Sequence, residues 1–362
     1  MKLHILLLAL GISSVSMSQI TITRADFADG GDTVRMSVAS DPGVDFSLTG
    51  ANYTWNFSNL VPNSQELVNF KAMAQASTLA SFTFGTFAPP KYQATNFGSS
   101  TDLPLAQLTA ALPISITDVN LFSKNSNDSI TSVGYSFVVQ GTEVPFKSDT
   151  IETRYKFPMN YGNVYTSRGY SNLDLNPFTN AIWRQHKTRA SNVDGWGTIT
   201  TPYGTFDALR ITHYITEFDS IQIEIAGNAT WIPIPVPDQV VHEWWADNQL
   251  EPVLRVEQSD ILGNLTVTKV EYRDSYNPAL ASVEKHQLDI GVYPNPTTDQ
   301  LIVQLDDARA FYSVIDVEGS ILLEGTFVAL SNQLDVSSLS NGNYQLVVRS
   351  ANHFGIVPFI KN

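Results

Sequence analysis

The chain has 362 residues, 43% of them hydrophobic, with no cysteine and a formal net charge of -14. Those values exclude disulfides, thiolate chemistry and cysteine-ligated metals, and they set the chain against phosphate backbones and anionic membrane surfaces. Charged residues make up only 15%, so small polar residues carry the polar load, a balance that suits strands better than helices.

At the N-terminus Lys2 precedes the apolar run Leu3 to Ile12, and the small residues Ser16 and Ser18 stand before Gln19. This order of charged, apolar and small residues predicts a signal peptide over 1–18, cleaved between Ser18 and Gln19. The apolar run of about ten residues is too short for a bilayer, which needs roughly twenty. No later stretch is long and apolar enough for a membrane helix, so no membrane span is expected.

The body, 19–274, reads as strands. Thr33 to Val38 alternates apolar and polar residues, and Tyr53-Thr54-Trp55-Asn56-Phe57 places aromatics on one face. Residues 77–113 have the weakest periodicity and predict a long excursion, within which Leu105 to Leu112 could form two helical turns before Pro113. Ser126 to Ser129 is a turn cluster that predicts a hairpin between Leu121-Phe122 and Ile130 to Val139. Leu209, Ile211, His213 and Ile215 share one parity, the mark of a half-buried strand. Ile232-Pro233-Ile234-Pro235-Val236-Pro237 lacks three N–H donors and predicts an extended edge or loop, either packed on the sheet or lying beside a ligand cleft. Val253 to Glu257 and Leu265 to Tyr272 add strands. Many short strands with turn residues between them predict an all-β body, an antiparallel sandwich or part-open barrel.

Few residues point to chemistry. His186, His213 and His242 are widely spread, and Ala246 stands where a zinc-protease motif begun by His242-Glu243 would need its second histidine. No hydrolase elbow or phosphate loop occurs, so no catalytic residue, metal or cofactor is assigned. His213 shares its face with Leu209 and Ile211, which predicts a hydrogen-bonded core histidine. Trp183, Trp196, Trp231, Trp244 and Trp245 crowd the second half of the body. Exposed indoles stack on sugar rings, so these five are the candidate ligand-facing residues; buried, they would fill the core.

Residues 275–287, with a proline, small residues and mixed charges, predict a linker. Beyond it, 288–362 holds short alternating segments such as Leu301, Val303, Leu305 and Tyr344, Leu346, Val348, which predict a small immunoglobulin-like β-sandwich.

The tail's motifs are Tyr293-Pro294-Asn295-Pro296, the turn Asp316-Val317-Glu318-Gly319, the run Leu334 to Tyr344 with Asn341-Gly342-Asn343, and the ending Phe359-Ile360-Lys361. In that order they resemble the type A C-terminal sorting domain of type IX secretion cargo in the Bacteroidota. Ser320, where many members carry a basic residue, is a departure. The resemblance implies Sec export to the periplasm, then passage to the outer-membrane surface or the medium. It also implies the type IX machinery and a sortase-like protease as partners, with surface lipopolysaccharide or glycans as an attachment point. Nucleic acid is not an expected partner. The body carries a weaker resemblance, in Gly195-Trp196-Gly197-Thr198 and Pro202-Tyr203-Gly204-Thr205, to uncharacterised bacterial envelope β proteins. Asp32-Thr33-Val34, Asp128-Ser129-Ile130, Asp149-Thr150-Ile151 and Asp219-Ser220-Ile221 resemble the O-glycosylation sequon of exported Bacteroidota proteins, which implies glycans at Thr33, Ser129, Thr150 and Ser220. The reading that follows is a secreted or surface-attached, non-catalytic binding or structural protein. A hydrolase of polysaccharide or peptide and a carrier of an apolar ligand are the alternatives.

Overall fold

The computed structural model describes residues 19–362 except 44, 106, 109–113, 115, 226–227, 262, 279, 281–285, 288–289, 306–309, 317–319 and 350–352. The expected signal peptide, with Ser18, lies outside the described residues. So do Gly319 and most of the expected helix at 105–112. The chain divides into two compact units, 1–280 and 281–362.

The first unit is built from β1 (Thr33–Ala39), β2 (Tyr53–Asn56), β3 (Pro62–Asn69), β4 (Lys71–Ala72), α1 (Thr78–Phe84), β5 (Asn96–Ser99), β6 (Ile116–Asn125), β7 (Ser129–Val139) and β8 (Thr142–Lys156). It continues with β9 (Val164–Asp174), β10 (Ala181–Thr201), β11 (Gly204–Ile225), β12 (Asn228–Ile234), β13 (Gln239–Trp245), β14 (Leu254–Ile261) and β15 (Asn264–Arg273). All fifteen strands belong to one sheet, ordered β3-β1-β15-β14-β13-β11-β10-β9-β8-β7-β6-β5-β4, with β12 on β11 and β2 on β10. The pairing is antiparallel except where β2 runs parallel to β10. The first and last strands of that order are separated in sequence by Phe70 alone. Its N–H donates to the Asp32 carbonyl at 3.0 Å, and its carbonyl accepts from Gly31 N. The pairing path therefore returns to its start, and the body is a nearly closed barrel.

The excursion at 77–113 is not merely a cover, because it supplies β5 to the sheet. β11 is long enough to serve two partners in turn. Leu209–Ile215 pairs with β13, and Asp219–Ile225 pairs with β12. Pro233, Pro235 and Pro237 mark where β12 gives way to β13; on an edge segment their missing N–H groups leave no ladder bond broken. Ile234 is buried and Ile232 packs against the same core, so this stretch is a connection seated on the sheet.

Among the described residues, four apolar cores hold the unit. One gathers Tyr135, Phe137, Phe146, Trp183 and Ile221. A second gathers Trp55, Phe57, Trp244, Leu254 and Tyr272. A third gathers Phe27, Tyr155, Val193, Ile211 and Trp245. In the fourth, α1 lays Phe84 on Phe122 and Phe97. Gly134 makes that contact possible, since a Cβ there would stand 2.7 Å from the Phe84 ring. Ser275 and Leu280, in the expected linker, are held on the body: Gln65 N donates to Leu280 O and Gln65 Nε2 to Ser275 O.

The second unit holds β16 (His286–Gln287), β17 (Ile290–Tyr293), β18 (Gln300–Leu305), β19 (Ala310–Ile315), β20 (Ile321–Phe327), β21 (Ser331–Asp335), β22 (Gly342–Arg349) and β23 (His353–Lys361). A five-stranded sheet, β16-β23-β22-β19-β20, faces a three-stranded sheet, β17-β18-β21. Leu301, Val303, Val314, Leu346, Val348 and Phe359 form the shared core. The alternation in the sequence places every one of those residues inward. The small sandwich matches expectation.

Candidate functional site

In the barrel unit the buried face of β10 alternates without a break: Trp183, Gln185, Lys187, Arg189, Ser191 and Val193 are all buried. The partners of the first five across β11 are Ile221, Asp219, Glu217, Ile215 and His213. The ends of this row are apolar and belong to the first and third cores. The middle is a belt of charge.

Each charge in the belt finds a partner. Lys187 Nζ lies 3.1 Å from Glu217 and donates to the Asp102 carbonyl at 3.3 Å. Arg189 Nε meets Glu152 at 2.6 Å, and Arg154 pairs with the Asp102 carboxylate. Gln185 donates to Glu217 at 2.8 Å, and Trp183 Nε1 donates to Asp219 at 2.8 Å. Asp219 has its pKa pushed up to about 8, first by burial and then by Glu217 beside it. The fold thus favours its neutral acid form. Lone buried ions would cost several kcal/mol each, which is why every inward Lys and Arg here sits against a carboxylate.

Next along the barrel is a second polar group. Ser191 Oγ is 2.8 Å from His213 Nδ1, and His213 Nε2 is 3.6 Å from Glu243. Glu243 also accepts from Tyr155 at 2.8 Å, Trp245 at 2.9 Å and Arg255 at 2.9 Å. A serine, a histidine and a carboxylate in sequence are the parts of a nucleophilic triad. Here the residues Ser191, His213 and Glu243 are 1%, 1% and 3% exposed, so no external substrate reaches the hydroxyl. Burial also holds the His213 pKa below its usual value. The arrangement works as a hydrogen-bonded brace. The expected core histidine is found, with Ser191 as its partner.

On the opposite face of β11, Arg210 donates to the Ser47 and Leu48 carbonyls at 3.0 and 2.8 Å and to His242 Nδ1 at 2.9 Å. His242 Nε2 faces Gln258 Oε1 at 3.2 Å, which fixes a neutral ring. His242 and Glu243 thus point to opposite faces, and the sequence of a failed zinc motif serves two separate braces. No group of metal-binding side chains occurs among the described residues.

The five tryptophans separate. Trp183, Trp244 and Trp245 are fully buried, one in each of three cores, which corrects the expectation that they face a ligand. An indole fits a barrel interior as well as a surface, and parity alone did not distinguish the two. Trp244 lies under the Arg210 guanidinium, 5.3 Å from the ring centre, and Trp245 stacks on Phe27 at 3.8 Å. Trp196 is half-buried against the third core. Trp231 is half-buried on β12, with the Arg184 guanidinium 3.9 Å from its ring centre. Sequence reading missed Asp102, Glu152, Arg154, Lys187, Arg189 and Glu217. For all but Asp102, which lies between β5 and β6, the signal was present as charges at the inward parity of long strands.

In the sandwich unit the sorting motifs meet. Asn295 Nδ2 donates to Pro358 O at 3.1 Å, and Ile360 N donates to Asn295 Oδ1 at 2.9 Å. Thr297 N donates to Ile360 O, and Asn362 N to Thr297 O, both at 2.8 Å. The entry motif, with Tyr293, Pro294, Asn295 and Pro296 exposed, is thereby fastened to the last strand, where Lys361 is buried. Gly342 opens β22, and Tyr344 donates its hydroxyl to Ser340 O at 2.7 Å and packs beside Phe359. Pieces far apart in sequence form one seam.

Residues 291–362 match the family model described as secretion system C-terminal sorting domain. The tail is a secretion sorting domain. The chain is thus cargo for the secretion route that its tail motifs resemble, the type IX system. No curated protein matches the chain. A solved structure of PorZ, an essential bacterial surface component of the type-IX secretion system of Porphyromonas gingivalis, aligns over 88% of this chain with 8% identity and a TM-score of 0.19. The chain spans 61% of that one's length, and at that score the likeness carries no argument. No helix among the described residues is long and apolar enough to cross a membrane.

Proposed function

We propose that this cargo is a non-catalytic β-barrel protein that crosses the periplasm and works at the cell surface or in the medium, as a binding or structural component. The sorting tail supports the destination. The observation that carries the non-catalytic reading is the sealing of a triad-like arrangement, Ser191–His213–Glu243, inside the barrel. A nucleophile needs access to its substrate as well as a base. Apart from the type IX machinery, a sortase-like protease and surface lipopolysaccharide or glycans are the partners this reading adds. The test is removal of residues 281–362 in the native host. Loss of the protein from the surface and medium, with retention in the periplasm, is the expected result. Purified exported protein that releases sugars or peptides from polymeric substrates would overturn the non-catalytic reading.

The Asp-Ser/Thr sequons extend this proposal. Asp128, Asp149, Thr33 and Thr150 are exposed, with Ser129 partly so. At the fourth site Asp219 and Ile221 are buried at 0% and only Ser220 faces outward. Intact-mass and peptide analysis of native protein is expected to find glycan at Thr33, Ser129 and Thr150, with Ser220 bare. Unmodified protein throughout would remove the idea.

A further inference from the structure

The buried belt of β10 and β11 has an outer side, and that side is aromatic and cationic. Residues directly opposed on neighbouring antiparallel strands share a face. Across β9, β10 and β11 the outward rows are Arg168–Thr188–Thr216, Tyr170–His186–Phe218 and Asn172–Arg184–Ser220. β12 extends the face with Trp231 opposite Gln222. Tyr170 and His186 have ring centres 4.5 Å apart, and Phe218 is 61% exposed beside His186. Arg184 lies over Trp231 and holds Asn172 Oδ1 through its Nε at 3.1 Å. Rings and planar polar groups therefore lie side by side on a surface open to solvent.

The charge of this face opposes that of the chain. The whole protein carries -14, yet the three rows hold two guanidiniums and no carboxylate. Among the described residues neither Arg168 nor Arg184 has an ion pair, whereas the inward Lys and Arg of β10 are matched. The exposed carboxylates at its margin are engaged: Asp149 accepts from the Asn172 backbone N–H at 3.0 Å, Asp174, in the row of Gln222 and Trp231, accepts from Asn176 N and Nδ2 at 3.0 and 2.8 Å, and Glu224 accepts from Asn180 Nδ2 at 3.1 Å.

From this we infer that the outer face of β9–β12 binds an acidic polysaccharide. Sugar rings would stack their C–H faces on Tyr170, Phe218 and Trp231, and sugar carboxylates would meet Arg168 and Arg184. The strand spacing of about 4.8 Å sets Tyr170, His186 and Phe218 across roughly 10 Å, a length suited to two or three sugar units. A linear glycan fits better than a peptide strand, because the inner strands of this face are already paired on both sides and offer no free ladder groups. The site rests on the proposed binding role and gives it a ligand class.

The test is affinity electrophoresis of the full exported chain in gels holding polygalacturonate, dextran or polyglutamate. Retardation by polygalacturonate alone is expected. Arg184→Ser and Phe218→Ser, both surface changes, should each weaken it about tenfold. Circular dichroism would confirm that each variant is folded, and Tyr276→Ser, away from the face, should bind as wild type. Equal retardation by polyglutamate would show simple charge attraction and overturn the site. Retardation by dextran alone, by no polymer, or unchanged in both folded variants would also overturn it. Reducing ends released from polygalacturonate would overturn the non-catalytic function instead, which keeps the two failures distinct.

Discussion

At the scale of single residues the barrel is governed by polar groups that have no water. His242 shows the consequence most directly. Its Nδ1 accepts from Arg210, and burial together with that positive charge holds its pKa down at about 4, against an ordinary 6.5. The unfolded chain takes up a proton below about 6.5 that the folded chain refuses. The contribution of His242 to stability is therefore present above pH 6.5 and is lost as pH falls toward 4. His213, also depressed by burial, acts in the same direction. Asp219, whose folded pKa is raised to about 8, acts in the opposite direction over the same range. The readout is therefore the difference between proteins: from pH 7 to 4 the dependence of the urea midpoint on pH should be smaller in His242→Gln than in the wild type by about one proton. A variant with an unchanged slope would place the titrating group elsewhere.

At the scale of elements two close contacts fix where strands dock. Gly197 on β10 has φ +151°, and a Cβ there would sit 1.9 Å from Tyr53 O, the very strand β2 that pairs beside it. Gly197→Ala should displace β2 and with it Trp55 from the second core, a loss of about 2–4 kcal/mol read by denaturation. Wild-type stability in that variant would mean that β2 is not held by the glycine. In the sandwich, Asn295→Ala removes both side-chain bonds to the last strand, and unfolding of the tail should weaken by about 1–3 kcal/mol. Local strands were the legible part of this fold. The parity of Leu209, Ile211 and His213 and the turn at Ser126 to Ser129 were readable because each signal lies within a dozen residues. Barrel closure was not, since β1 pairs with β15 through Met36 and Arg273, and nothing local links them. The charged belt was half legible. Lys187 and Arg189 stand at inward parity, but a half-buried strand with its charges turned outward reads equally well until Glu217 and Glu152 are placed opposite. The tail's motifs could be recognised, while the reason they travel together, the bonds from Asn295 to Pro358 and Ile360, required the fold.

At the scale of the whole molecule the decisive fact is how the cores divide. Every residue of the four barrel cores precedes Asp274, and every residue of the sandwich core follows Leu288. An element's stability comes mainly from the apolar surface it buries, so units that share no core unfold on their own terms. On the proposed route, with a sortase-like protease as partner, this property would let the tail be removed without costing the cargo its fold. Calorimetry of the full chain should therefore give two transitions. Asn295→Ala should lower only the transition of the smaller unit, and Gly197→Ala only that of the larger. Deleting residues 281–362 should abolish the first transition and shift the other by no more than about 2 °C. A single cooperative transition that both substitutions lower together would mean that the tail is a structural part of the barrel, and the separation of address from cargo would fail.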